Sequence, residues 1–150
     1  MSREIKDSGD CLRLIENSAV GRLATCRDGM PYITPVHFVL YKQKIYIHTG
    51  HEGRKIDNIK SNPEVCFEVS EMKSIQPGLN PCKFSTDFRS VLIFGRAELI
   101  ENPEEKADIL NRFVTKYAGG FEFDPIKEDQ VENVAIIEID IAAITGRTSV

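Results

Sequence analysis

The sequence predicts a mainly β domain, an antiparallel barrel with helices packed on it. Six segments have the length and residue types of strands, most are joined by short turns, and three helical stretches interrupt the series irregularly. A doubly wound sheet would instead alternate strand and helix. At 150 residues the chain has room for one such domain and too little for two ordinary ones.

The elements follow in order. Ser8 is placed to cap a short helix over residues 9–16, with Cys11, Leu12 and Ile15 on one face. Residues 19–25 read as a strand, and Arg27-Asp28-Gly29 as the hairpin turn to a second strand over 32–40. Pro31 and Pro35 confine that strand to an edge or a bulge. Lys42-Gln43 turns into a third strand over 44–48, followed by a helix over 52–61 that points Ile56 and Ile59 inward and stops at Asn62-Pro63. A fourth strand, 64–69, alternates Val65, Phe67 and Val69 with polar neighbours. Residues 70–85 hold two prolines, a glycine and no period, and read as a functional or partner-facing loop. A long fifth strand covers 88–100, bent near Gly95; a helix capped by Asn102 and begun by Pro103 runs to Tyr117, burying Ile109, Leu110, Phe113 and Val114. The sixth strand, 134–144, is apolar on parts of both faces, which either a dimer or packing within one subunit would cover.

Composition excludes several classes. Nineteen basic against 23 acidic residues leave a net charge of -4 with no long basic run, unlike a duplex nucleic-acid binder. No stretch approaches the roughly 18 apolar residues that span a bilayer, and the N-terminus lacks the apolar core of a secretory signal. Cys11, Cys26, Cys66 and Cys82 are scattered without a C-x-x-C pair, as separate reduced thiols would be. A cytoplasmic location is the expectation.

The chemistry concentrates in Ile47-His48-Thr49-Gly50-His51-Glu52-Gly53-Arg54-Lys55. A strand ends, a glycine turn follows, and a helix opens with two adjacent cations. Cations oppose the positive end of a helix dipole. Either a phosphate lies between them and the free amides, or the turn is simply solvated. His48 and His51, with His37 earlier, have no cysteine or carboxylate at a ligand-like interval, so no metal is expected. A hydrolase nucleophile elbow, a Walker loop and a dinucleotide fingerprint are all missing from the sequence.

Five blocks in order resemble one family: Gly21-Arg22-Leu23-Ala24-Thr25; Pro31-Tyr32-Ile33-Thr34-Pro35-Val36-His37-Phe38; Ile45-Tyr46-Ile47-His48-Thr49-Gly50; Gly53-Arg54-Lys55-Ile56-Asp57-Asn58-Ile59; and Arg89-Ser90-Val91-Leu92-Ile93-Phe94-Gly95-Arg96-Ala97-Glu98-Leu99. Together they are similar to the pyridoxamine-phosphate-oxidase-related flavoproteins, most of all to the nitroimidazole-resistance (Nim-type) branch. The resemblance implies a six-stranded FMN-binding split barrel, working as a homodimer with flavin at the subunit interface. It implies phosphate contacts from Arg54 and Lys55, and contacts along the isoalloxazine from Thr34, Pro35, Val36 and His37. Ile47, His48 and Thr49 would flank the ring and ribityl chain, and Ser90 would reach the flavin from the other subunit. His48 would either deliver a proton or only order the ribityl chain. Cys82, as a buried small residue, and Phe84 would shape the pocket.

The C-terminal Trp and Arg with which true pyridoxamine-phosphate oxidases bind their substrate have no counterpart here, so vitamin B6 oxidation is not expected; Arg147 is the residue there that a cross-dimer contact would use. The leading expectation is an oxidoreductase that passes electrons from FMN, reduced by a nicotinamide donor, to a small flat acceptor such as a nitroaromatic. The alternative is a flavin- or haem-binding module without turnover, with His37, His48 or His51 as an axial ligand. FAD in place of FMN presents the same first phosphate.

Overall fold

The computed structural model describes residues 1–149. Eleven helices and strands follow in order: β1 (Arg3–Glu4), α1 (Ser8–Glu16), β2 (Gly21–Arg27), β3 (Met30–Val36), β4 (Val39–Tyr41), β5 (Lys44–Thr49), α2 (Arg54–Ser61), β6 (Glu64–Gln76), β7 (Ser85–Ile100), α3 (Pro103–Tyr117) and β8 (Ala135–Thr148). All strand pairs are antiparallel, in the order β3-β2-β6-β7-β8-β5-β4, with β1 beside β8. The barrel reading holds, with eight strands in place of six. The second expected strand breaks at His37-Phe38 into β3 and β4, and Arg3–Glu4 adds a short pair.

That break shapes the molecule. β3 and β4 lie at opposite edges of the sheet, yet only His37 and Phe38 separate them in the chain. Val36 and Val39 are three Cα steps apart and so at most about 11 Å from each other, so the sheet must curl until its edges nearly meet. They meet at this corner without hydrogen-bonding, which leaves a barrel split along one seam. Pro31 and Pro35 sit on β3, an edge strand, where a missing N–H costs no ladder bond.

The turns behave as their residues dictate. Asp28 and Gly29 take φ of 51° and 76°, and Lys42 and Gln43 take 50° and 61°, the paired left-handed geometry of a tight hairpin. Asp7, not Ser8, caps α1: its carboxylate accepts from the Gly9 amide at 2.8 Å, and Ser8 is the first helical residue. Asn102 accepts from the Glu105 amide at 3.1 Å and Pro103 opens α3.

The expectation of a loop over 70–85 is corrected. β6 and β7 stay paired out to Gln76 opposite Ser85, with an irregularity between Met72 and Ser74, and a 3-10 turn at Pro81–Lys83 lies at the tip. Residues 72–77 are all exposed. This two-stranded ribbon stands clear of the barrel with no buried face, so its sequence carries no alternation to read. Cys82 and Phe84, expected in a pocket, are exposed at its tip.

The barrel interior holds Leu23, Phe38, Ile45, Ile47, Phe67, Ile93, Ile137 and Ile139, closed by Ile15 of α1 and by Ile56 and Ile59 of α2. Each such fully buried side chain contributes about 1.5–3 kcal/mol. A second cluster joins Ile109, Leu110 and Phe113 of α3 to Val39, Tyr46 and Ile136 on the outside of the barrel. Both faces of early β8 are therefore covered within one subunit. Gly95 sits where β7 and β8 shift register: a Cβ there would lie 2.2 Å from the Asp140 carbonyl oxygen. Among the described residues no helix is long and apolar enough to cross a membrane.

Candidate functional site

The seam beside the β3–β4 corner gathers much of the expected site. The β4–β5 register pairs Val39 with Tyr46, and just before β4 His37 lies close enough to His48 to disfavour its charged form. His48 also packs edge-on against Phe113 at 4.6 Å, and His37 lies 4.7 Å from the Tyr117 ring. Phe113 and Tyr117 stack at 6.3 Å, so α3 backs both histidines with aromatic surface. The Tyr117 hydroxyl accepts from the Phe38 amide at 3.0 Å and lies 2.8 Å from the Ala19 carbonyl, which it donates to. That bond pair fixes the corner.

α2 supplies the cations. Gly53 precedes it with φ of 134° and offers no side-chain cap, so the first-turn amides are left for another acceptor. The helix begins at Arg54, two residues later than expected, which puts both cations in its first turn. The Arg54 guanidinium lies 5.2 Å from the centre of the Tyr32 ring on β3. Lys55 is half-buried, and among the described residues neither cation pairs with an acid. Asn58 anchors the helix by donating to Thr25 Oγ1 at 3.0 Å, a bond buried at both ends.

The electrostatics match an anion-accepting cleft. Burial pushes the Lys55 amine below its ordinary value. Burial also lowers His48, helped by repulsion from His37 and Lys55, so its neutral form is favoured. Thr34 Oγ1 on β3 is buried and has no hydrogen-bond partner. An orphaned buried hydroxyl costs about 1–3 kcal/mol, so a ligand atom against it would restore a missing bond. Four observations fit a phosphorylated flavin at this seam: uncapped helix amides, two unpaired cations, an unsatisfied hydroxyl, and a free sheet edge on β3.

The other expected residues fall into three groups. Ile47 and Val36 are 0% and 7% exposed with side chains in the core, leaving only main chain for a ligand. Pro35 faces outward, and Thr49 is half-buried at the end of β5. His51 turns aside to bond the Glu132 carbonyl. Ser90 lies elsewhere: Ile100 pairs with Ile136 and Ile136 with His48, so Ser90 is ten residues along β7 from the His48 level. At about 3.3 Å per residue that is on the order of 30 Å.

Tyr32, Phe113 and Tyr117 were missed. A tyrosine on the apolar stripe of a helix needs a partner for its hydroxyl, and Tyr117 carried that signal. A groove of about 1020 Å³ opens beyond His48, lined by Leu110, Phe113, Asp124, Gln130 and Val134 among others. Away from the seam, Glu98, Glu138 and Asp140 converge, but Lys44 bridges Glu138 at 3.1 Å and Asp140 at 3.0 Å and neutralises part of their charge.

A curled antiparallel sheet left open at one seam, with a helix and two cations beside the opening, defines a split β-barrel protein. Residues 7–148 match the family model described as pyridoxamine 5'-phosphate oxidase, and the chain belongs to that family. It is 31% identical over 96 residues to an uncharacterised protein of Rhizobium meliloti, a match covering 64% of this chain and 53% of that relative. The chain thus spans about half the length of the curated relative it matches. Among solved structures it is similar to a candidate 5-nitroimidazole antibiotic resistance protein of Bacteroides thetaiotaomicron, with a TM-score of 0.82 and 24% identity over 98% of this chain and 87% of that one. It is also similar to an FAD- and haem-binding protein of Mycobacterium smegmatis, with a TM-score of 0.87 and 16% identity over 97% of this chain and 73% of that one. At these identities the likeness is one of fold.

Proposed function

We propose that the chain binds FMN at the seam, between two copies of itself, and passes electrons to a small flat acceptor. The carrying observation is the unpaired Arg54-Lys55 couple on an uncapped helix N-terminus that faces Tyr32 on β3, the strand that also carries the orphaned Thr34 hydroxyl. Arg54 offers a fork of donors and Lys55 a point charge to a phosphate, and the first-turn amides add the helix dipole. A bound flavin supplies the two-electron chemistry, and a reduced nicotinamide is the donor that fits it. FAD presents the same first phosphate to the same residues.

His48 holds its place against Phe113 and can orient a ligand through a ring nitrogen while neutral. A phosphate near Lys55 would offset the positive charge that disfavours its protonation, readying it to carry a proton. The groove that His48 lines gives an acceptor room.

Geometry supports the reading of two copies. Given their separation along β7, a Ser90 contact to the flavin held at His48 would come from a second chain. The outer sheet face supports this: Ile33, Ala24, Cys66, Phe94 and Ala143 form one apolar row across five paired strands. Ile33 and Phe94 are 61% and 46% exposed in the single chain. Such a row is suited to burial against its own copy. The second reading, a flavin- or haem-binding module without turnover, draws on the neighbouring His37 and His48 and on the Mycobacterium smegmatis protein's ligands.

Titration of FMN and of riboflavin into wild type, Arg54→Ala and Lys55→Ala tests the site. Each variant is expected to lose roughly 10- to 100-fold in FMN affinity, the worth of a charge-assisted bond, with riboflavin affinity unchanged. Undiminished FMN binding in both variants would overturn the phosphate site. Turnover of a nitroimidazole with reduced nicotinamide, no faster than with free FMN, would reduce the function to binding alone.

A further inference from the structure

A second basic site lies on the other side of the β3–β4 corner and has no part in the reading above. Lys116 Nζ on α3 donates to the Phe38 carbonyl at 2.9 Å and sits 3.7 Å from the centre of the Phe38 ring. Among the described residues no carboxylate pairs with it. The amine lines a pocket of about 260 Å³ between β4 and α3, with Glu16, Tyr41, Arg112 and Thr115 around it. Arg112 is one helical turn earlier on the same face. Its guanidinium lies 3.5 Å from the centre of the Tyr41 ring, and its carboxylate contact with Asp108 is a long 3.5 Å.

The groups facing the amine are Glu16 of α1, Arg112 and Tyr117 of α3, and Tyr41 of β4. Burial dominates over the attraction of Glu16 and brings Lys116 down to about 8. At pH 7 roughly one such amine in ten is uncharged, a free-base fraction ~300 times that of an ordinary lysine. A nucleophilic amine therefore sits in a small pocket beside a guanidinium whose planar fork suits a phosphate.

We propose that this pocket is an acylation site, in which Lys116 takes the acyl group of a small acyl phosphate held by Arg112. The lone pair of the neutral amine attacks the carbonyl carbon. The bond from that carbon to the bridging oxygen breaks, inorganic phosphate leaves with the electron pair, and the nitrogen loses one proton to water. The product is an uncharged amide that retains one N–H for the Phe38 carbonyl. The pocket is too small to enclose a nucleotide-bearing leaving group, which favours a compact donor.

The test uses the purified full chain, with acetyl phosphate and with N-acetoxysuccinimide, whose leaving group carries no phosphate. Peptide mass mapping follows each lysine over time and pH. Lys116 is expected to react with acetyl phosphate at least about tenfold faster than exposed Lys42, Lys60 and Lys73, its rate levelling off above about pH 8. Arg112→Gln is expected to slow acetyl phosphate severalfold at Lys116 and to leave N-acetoxysuccinimide unchanged. Wild-type labelling of Lys116 no faster than the exposed lysines overturns the site; equal slowing of both reagents in the variant overturns recognition of the phosphate. The wild-type rates and pH profile need no variant to fold, and none of these results depends on flavin binding.

Discussion

His48 is the residue where environment and proposed role meet most closely. Burial, His37 and Lys55 all disfavour its charged form, so its folded pKa lies below its unfolded value of about 6.5. In the window between the two, the unfolded chain binds more protons. Stability therefore stays whole above about pH 6.5 and falls as the pH drops toward the folded value. His48→Gln is expected to flatten this dependence, seen as a smaller shift of the urea midpoint between about pH 7.5 and pH 5.5. An unchanged shift would place the acid sensitivity elsewhere. The Arg54-Lys55 couple was legible because cations at a helix start run against the dipole and ask for a reason. Thr34 entered only through the family resemblance: its hydroxyl is buried without a partner, and no local pattern encodes that. The nearness of His37 to His48 follows from the tight Lys42-Gln43 turn between their segments, and the aromatic backing from α3 is what the sequence conceals.

At the scale of elements, local chemistry decided most outcomes. Asn102-Pro103 opened α3 as expected, and Asp-Gly made the first hairpin turn. The outer ribbon of β6 and β7 escaped notice because strand patterns are written by burial, and its end residues have none. Gly95 was read as a bend, and the structure gives the cause: its missing Cβ admits the Asp140 carbonyl where β8 takes an extra residue. Gly95→Ala is expected to cost roughly 1–3 kcal/mol as the strands are forced apart. A lowered denaturation midpoint with unchanged m-value would register it, whereas a wild-type midpoint would mean that the bulge yields without strain.

At the scale of the whole molecule, the proposed pairing of two chains rests on the apolar outer row. Ile33→Asp combined with Phe94→Asp is expected to leave a folded monomer by sedimentation, with FMN affinity lowered at least about tenfold because the Ser90 side is lost. A double variant that remains dimeric would move the interface off this face. The fold class was legible from strand count and turn spacing, but the strand order was not, and with it went any view of how far Ser90 stands from His48. The β3–β4 corner has a further consequence, in the order of assembly. Its edges are neighbours in the chain, so bringing them together costs little loop entropy. The partner of β5, however, is β8: Tyr46 pairs with Glu138, 92 positions later. Closing so long a loop is slow relative to the local hairpins. Apart from the two-residue β1, the strand bearing His48 thus waits longest for its second neighbour, and the seam takes its working shape only when β8 docks.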